Sequence, residues 1–96
     1  MEILSDETER LLVRHVCLIT EEKRYDVSLI YSSLFYGKYI VTCFQTGKMV
    51  LLSADDIDHE EHWSSQLDVP LQDRTEMKQF LNQTLGMESR SFGEQI

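Results

Sequence analysis

The sequence predicts an α+β domain, an antiparallel β-meander of about four strands with a C-terminal amphipathic helix packed on one face. Three observations carry that prediction. Residues 25–32 alternate strictly, with Tyr25, Val27, Leu29 and Tyr31 on one side and Asp26, Ser28, Ile30 and Ser32 on the other. Period two of this kind belongs to a strand with one face in a core. Thr46-Gly47-Lys48 separates two β-rich runs at hairpin distance. Met77, Phe80, Leu81 and Leu85 recur at the spacing of a single helical stripe, with Lys78, Gln79, Asn82 and Gln83 facing out.

Taken in order, residues 1–10 form an acidic arm without a clear period, expected to be flexible. From Leu11 the aliphatic and β-branched run to Thr20 predicts a first strand. The polar tetrad Glu21-Glu22-Lys23-Arg24 turns the chain into the second, over Tyr25 to Ser32. Ser33 to Gly37 makes the next connection, with Gly37 suited to a positive φ. Lys38 to Gln45 alternates again, Tyr39, Val41 and Cys43 against Ile40, Thr42 and Phe44, so both faces of the third strand are apolar. Met49 to Ser53 returns as the fourth. Connections this short favour the order 1-2-3-4. Residues 54–70 read as a long acidic connection with room for one helical turn, pinned by Ile57, Trp63 and Leu67, and Pro70 disfavours helix at Val69. Asp73 and Glu76 stand at capping-box spacing, and Gly86 is placed to end the helix. A single domain over 11–87 is expected, with a loose tail at 88–96.

Ninety-six residues leave room for one domain with a modest core. Seventeen acidic against nine basic residues give a net charge of −8. That balance repels phosphate backbones and anionic lipid, so no nucleic-acid or membrane partner is expected. It favours solubility, a basic partner or a cation. The acidic start lacks the basic region of a secretory signal, and no apolar run approaches the length of about 20 residues that crosses a bilayer. Cys17 and Cys43 are too few for a disulfide framework, and both sit in strand patterns where cysteine packs as a small hydrophobe. A reduced, cytoplasmic setting is expected.

The densest group of potential ligands is Asp55, Asp56, Asp58, His59, Glu60, Glu61 and His62. Carboxylates and imidazoles are what divalent metals take. In a helical turn His59 and His62 share a face at i, i+3, and Asp55, Asp56 or His15 would have to complete the site. The spacing matches neither a calcium loop nor the His-Glu-x-x-His zinc helix, and the same residues also read as a solvated acidic loop. A cysteine nucleophile paired with His15, His59 or His62 would need an electropositive setting that this chain does not offer. The stretch Tyr36 to Phe44 lacks the aromatic offsets and basic residues of an RNA-recognition sheet. Too few basic residues cluster to sense an anionic metabolite. No catalytic residue and no cofactor are implied.

The aromatics around strands two and three are more telling. Tyr25, Tyr31, Phe35, Tyr36, Tyr39 and Phe44 gather there, and one helix covers only one face of a sheet. The remainder needs a cover, either the acidic loop with Trp63 or a second subunit. Open edges offer a second route to pairing across a two-fold axis. The expectation is a non-enzymatic, homodimeric protein-interaction module, with a possible further protein partner. Its expected contact residues are Tyr31, Phe35, Tyr36, Tyr39 and Trp63. The competing reading is a divalent-metal-binding protein or small enzyme using Asp55, Asp56, His59 and His62.

Four blocks, Arg24-Tyr25-Asp26-Val27-Ser28-Leu29-Ile30-Tyr31-Ser32-Ser33, Phe35-Tyr36-Gly37-Lys38, Gln45-Thr46-Gly47-Lys48 and Ala54-Asp55-Asp56-Ile57, occur in this order between residues 24 and 57, within a likeness that spans about residues 11 to 85. In these the chain resembles a family of small uncharacterised proteins of Gram-positive Firmicutes, catalogued as domain of unknown function 3055. The resemblance implies a bacterial cytosolic protein with no assigned activity. That family usually carries an acidic segment with Gly and Pro where this chain has Asp58 to Ser64. The departure counts against a family-wide metal site using His59 and His62.

Overall fold

A computed structural model describes residues 1–85. Four strands, β1 (Val13–Ile19), β2 (Arg24–Tyr31), β3 (Tyr39–Cys43) and β4 (Lys48–Leu52), form one antiparallel sheet in the order β1-β2-β3-β4. Two helices follow, α1 (Glu60–Leu67) and α2 (Arg74–Leu85). Single 3-10 turns sit at Ser33–Phe35, Ala54–Asp56 and Leu71–Asp73. The predicted α+β meander is therefore observed, with one helix more than expected. The predicted stop at Gly86 and the tail at 88–96 lie outside the described residues.

Strand register follows from the turns. The Thr20 N–H donates to the Lys23 carbonyl at 2.8 Å, so Glu21 and Glu22 alone make the β1–β2 loop. The Phe44 N–H donates to the Asp26 carbonyl at 2.9 Å. Backbone groups alternate sides along a strand. Even-numbered residues of β2 thus bond to β3, while odd-numbered ones bond to Arg14, Val16 and Leu18 of β1. The N–H and C=O groups of Val13, His15, Cys17 and Ile19 point away from the sheet, along its free edge. Gly47, at φ 70°, returns its N–H to the Cys43 carbonyl and closes the β3–β4 hairpin.

One face of the sheet carries the core. Tyr25, Val27 and Leu29 of β2, Tyr39, Val41 and Cys43 of β3, and Val50 and Leu52 of β4 are all buried. Against them pack Ile57, Trp63 and Leu67 from the α1 region and Val69, Met77, Leu81 and Leu85 from the α2 region, in one cluster. Fully burying a leucine such as Leu81 stabilises by about 1.5–3 kcal/mol. Both helices cover this same face.

The stretch expected to be mostly loop contains the two-turn helix α1. Trp63 and Leu67 at i, i+4 give it an apolar stripe, and Glu60 and Glu61 lie favourably at its positive N-terminal end. Asp68 ends it in the left-handed conformation at φ 63°. Asp73, expected as a helix cap, closes the turn before α2, and its buried carboxylate accepts a 2.5 Å hydrogen bond from the Tyr25 hydroxyl, 48 residues away. The arm has no helix or strand, and its Glu9 accepts a 2.6 Å hydrogen bond from the buried Ser32 hydroxyl.

Candidate interaction surface

Alternation puts a second set of side chains on the face that the helices leave. These are Val13, His15, Cys17 and Ile19 of β1, Arg24, Asp26, Ser28 and Ile30 of β2, Ile40 and Thr42 of β3, and Met49 and Leu51 of β4. Phe44 continues the β3 row. Ile19 is 76% exposed, Phe44 59% and Met49 53%, while Ile30, Ile40 and Leu51 are half-buried by one another. Among the strand residues of this face, Asp26 is the one carboxylate. It pairs with Arg24 at 3.2 Å and accepts from the Gln45 amide at 2.6 Å. The face thus sets an apolar row, Val13, Ile30, Ile40 and Leu51, beside a mixed one, and is locally neutral on a chain of net charge −8.

Both cysteines were expected in the core, and Cys17 is the exception, exposed on this open face while Cys43 is buried. The odd residues of β1 face away from the helices, which a strand apolar on both sides does not reveal. Beside Cys17, His15 Nδ1 lies 2.8 Å from the Ser28 hydroxyl, and its ring tilts toward Phe44 with centroids 6.2 Å apart. A serine and histidine at this distance have the spacing of a nucleophile and its base. Ser28 is nevertheless buried between two strands, where its oxygen offers no approach to a substrate.

The five aromatic contact candidates divide. Trp63 is fully buried, and its indole N–H donates to the Ile57 carbonyl at 2.8 Å. Tyr39 is also buried and stacks at a tilt on the half-buried Tyr31, with centroids 5.1 Å apart. These two therefore belong to the core, because α1 folds Trp63 inward and Tyr39 shares the face of Val41. Phe35 is half-buried. Tyr36 alone projects, at 95% exposure, from a left-handed backbone position with φ 55°, immediately before Gly37 at φ 81°. A tyrosine held at positive φ is uncommon, and here it caps the Ser33–Phe35 turn, its N–H donating to the Ser33 carbonyl at 3.4 Å.

The Tyr36 connection and the acidic loop, both expected to make contacts, are brought together by one ion pair. Lys38 Nζ lies 3.1 Å from the Asp56 carboxylate, which also accepts from the Ser53 N–H at 2.9 Å and the Ser53 hydroxyl at 3.0 Å. The Ser53 backbone N–H, then Lys38, holds the Asp56 carboxyl below the usual carboxylate range. Its folded pKa being depressed, Asp56 contributes stability above the unfolded carboxylate pKa of about 3.9. That stability is lost as pH falls through the lower folded value. Asp56→Ala is expected to cost about 1 kcal/mol at neutral pH and to flatten the acid limb of a melting-temperature profile.

The candidate metal residues are not assembled. Asp55, His59 and His62 are exposed, and Asp56 is engaged by Ser53 and Lys38. His59 and His62 line an open groove with Asp58, Glu60, Glu61 and Arg74, where Lys78 reaches Glu60 at 3.2 Å and Asp58 at 3.6 Å. Lys78 thus offsets two of the groove's carboxylates, Asp58 and Glu60. Among the described residues no three His, Cys, Asp or Glu side chains gather to hold a metal. Among them, too, no helix is long and apolar enough to cross a membrane.

The comparison with curated proteins finds no match. The match to a protein family takes in most of the arm, the whole sheet, α1 and all but the last two residues of α2: a family model described as SAV0927-like covers residues 4–83, and the chain belongs to the SAV0927-like family.

Proposed function

We propose that this chain is a non-enzymatic protein-interaction module that works as a homodimer, associating through the side of its sheet that the helices leave uncovered. The observation that carries this reading is the apolar, locally neutral open face with Ile19, Phe44 and Met49 exposed. Contiguous apolar patches rimmed by polar residues mark association sites. Like charge keeps copies of an acidic chain apart, and this face is where the repulsion is least. A second copy meets the same neutral surface, so it is the occupant that chain chemistry favours. Tyr36, at the end of the sheet, is the contact offered to a further protein partner.

The exposed Cys17 thiol suits a reducing compartment, and the reading places the module in the cytoplasm. We also carry the narrower kinship, with the Firmicutes family catalogued as domain of unknown function 3055, as part of this proposal. It is supported by the four sequence blocks over residues 24–57.

Sedimentation velocity over a concentration series tests the central point. Ile19 lies both on the open face and on the free edge, so Ile19→Lys is expected to weaken the dimer about tenfold or more without loss of helical or strand signal. A wild-type chain that sediments as a monomer at about 100 μM, where even weak specific dimers form, overturns the reading.

A further inference from the structure

The sheet also has an open edge at β1, where Arg14 is the one permanently charged side chain in the strand. Natural edge strands are blunted by short length, Lys, Pro or bulges, or are covered by another element. At the β4 edge the strand has five residues, opens with Lys48 and packs against α1. By contrast β1 runs seven residues, Val-Arg-His-Val-Cys-Leu-Ile, with neither Pro, Gly nor a carboxylate, in unbroken register with β2. Its outward backbone groups belong to Val13, His15, Cys17 and Ile19, and among the described residues no hydrogen bond engages them.

We infer that two copies pair through β1, antiparallel about a two-fold axis at Val16, to make one continuous eight-stranded sheet. This rests on the self-association proposed above but puts the contact at the β1 edge, where Ile19 belongs to both edge and open face, so that the two open faces lie side by side with Phe44 and Met49 outside the contact. Outward groups must meet outward groups, so odd residues face odd residues. Centring on Val16 sets Val13 opposite Ile19 and His15 opposite Cys17 of the second copy, and it engages the full seven-residue strand. Shifting the axis to His15 or Cys17 shortens the overlap and sets His15 or Cys17 against itself. In the Val16 register Arg14 faces Leu18, so no like charges are opposed. Stacking of the two open faces is the alternative geometry for the same dimer.

The register is read by cysteine pairing and by proline. Cα atoms of facing, hydrogen-bonded residues lie about 5.5 Å apart, within disulfide range. His15→Cys, with native Cys17, is expected to give a covalent dimer on mild oxidation. His15→Cys combined with Cys17→Ala is expected to give none. Cys17→Pro removes an N–H that points out of the sheet, and is expected to weaken association about tenfold or more with the circular dichroism of the native chain. A wild-type monomer at every concentration overturns the association itself. A wild-type dimer that survives Cys17→Pro, gives no His15→Cys bridge and dissociates with Phe44→Lys overturns the edge register and leaves association through stacked faces. Should Cys17→Pro fail to fold, the two bridging variants decide alone.

Discussion

Trp63→Ala is expected to destabilise the domain by about 3–5 kcal/mol, the largest loss from any single truncation. The indole is fully buried where α1 meets the sheet, and its N–H bond to the Ile57 carbonyl fixes the loop that leads into the helix. Truncation leaves a cavity that backbone hydrogen-bonded on both sides cannot collapse into, and it orphans a buried carbonyl. Small domains hold only about 5–15 kcal/mol in all, so a large share of the stability goes. Urea unfolding followed by circular dichroism measures it, since the variant loses the chain's one tryptophan and with it the fluorescence signal. Trp63→Phe keeps most of the volume and is expected to lose distinctly less. A loss below about 1 kcal/mol for the alanine variant, the size of an ordinary surface change, would contradict the packing of α1.

The second large effect lies at the Tyr25–Asp73 contact. Both groups are buried, and Tyr25→Phe leaves a buried carboxylate without its donor, at a cost of about 2–3 kcal/mol. Burial first, and the Asp73 carboxylate second, push the Tyr25 hydroxyl well above its ordinary pKa. The sign follows directly. The folded state holds the phenol protonated, while the unfolded chain releases its proton near pH 10. The stabilisation is therefore complete below about pH 10 and declines as pH rises from there toward the higher folded value. Tyr25→Phe is expected to be the less stable protein at neutral pH and to show a shallower alkaline decline. Thermal melting of the two proteins between neutral and strongly alkaline pH tests both halves. Parallel alkaline limbs would assign the titration to another group.

Much of the fold was legible in the chain itself. Strict alternation at 25–32 fixed β2 and its core face, Thr46-Gly47 fixed a hairpin, and Met77, Leu81 and Leu85 fixed the helix stripe. Helix α1 was less legible because its eight residues open with acids and carry only one short apolar pair. Trp63 and Leu67 at i, i+4 are the available signal for the helix, and they favour the reading of Trp63 as a residue that pins this stretch to the sheet over its reading as a partner contact. The Tyr25–Asp73 contact joins positions that no local pattern connects, and Asp73 read more naturally as a cap. Apolar residues on both sides of β3 indicated that one helical layer would not suffice. Only the placement of α1 and α2 on the same side decides which face is left over. Tyr36 follows the same rule: its residue type suggested a contact, but its projection depends on a backbone conformation that tyrosine seldom takes.

The Tyr25–Asp73 bond also bears on how the chain folds. Every strand of the sheet pairs with its neighbour in sequence, and the β1–β2 hairpin needs only a two-residue loop. Contacts of that kind form at little loop-closure cost, so the meander can assemble in an early phase by successive hairpins. The helices come last in sequence, and Asp73 must return across 48 residues to meet Tyr25. Docking of α2 is then the late, slow-to-nucleate event, and Tyr25→Phe is expected to accelerate unfolding while leaving the folding rate almost unchanged.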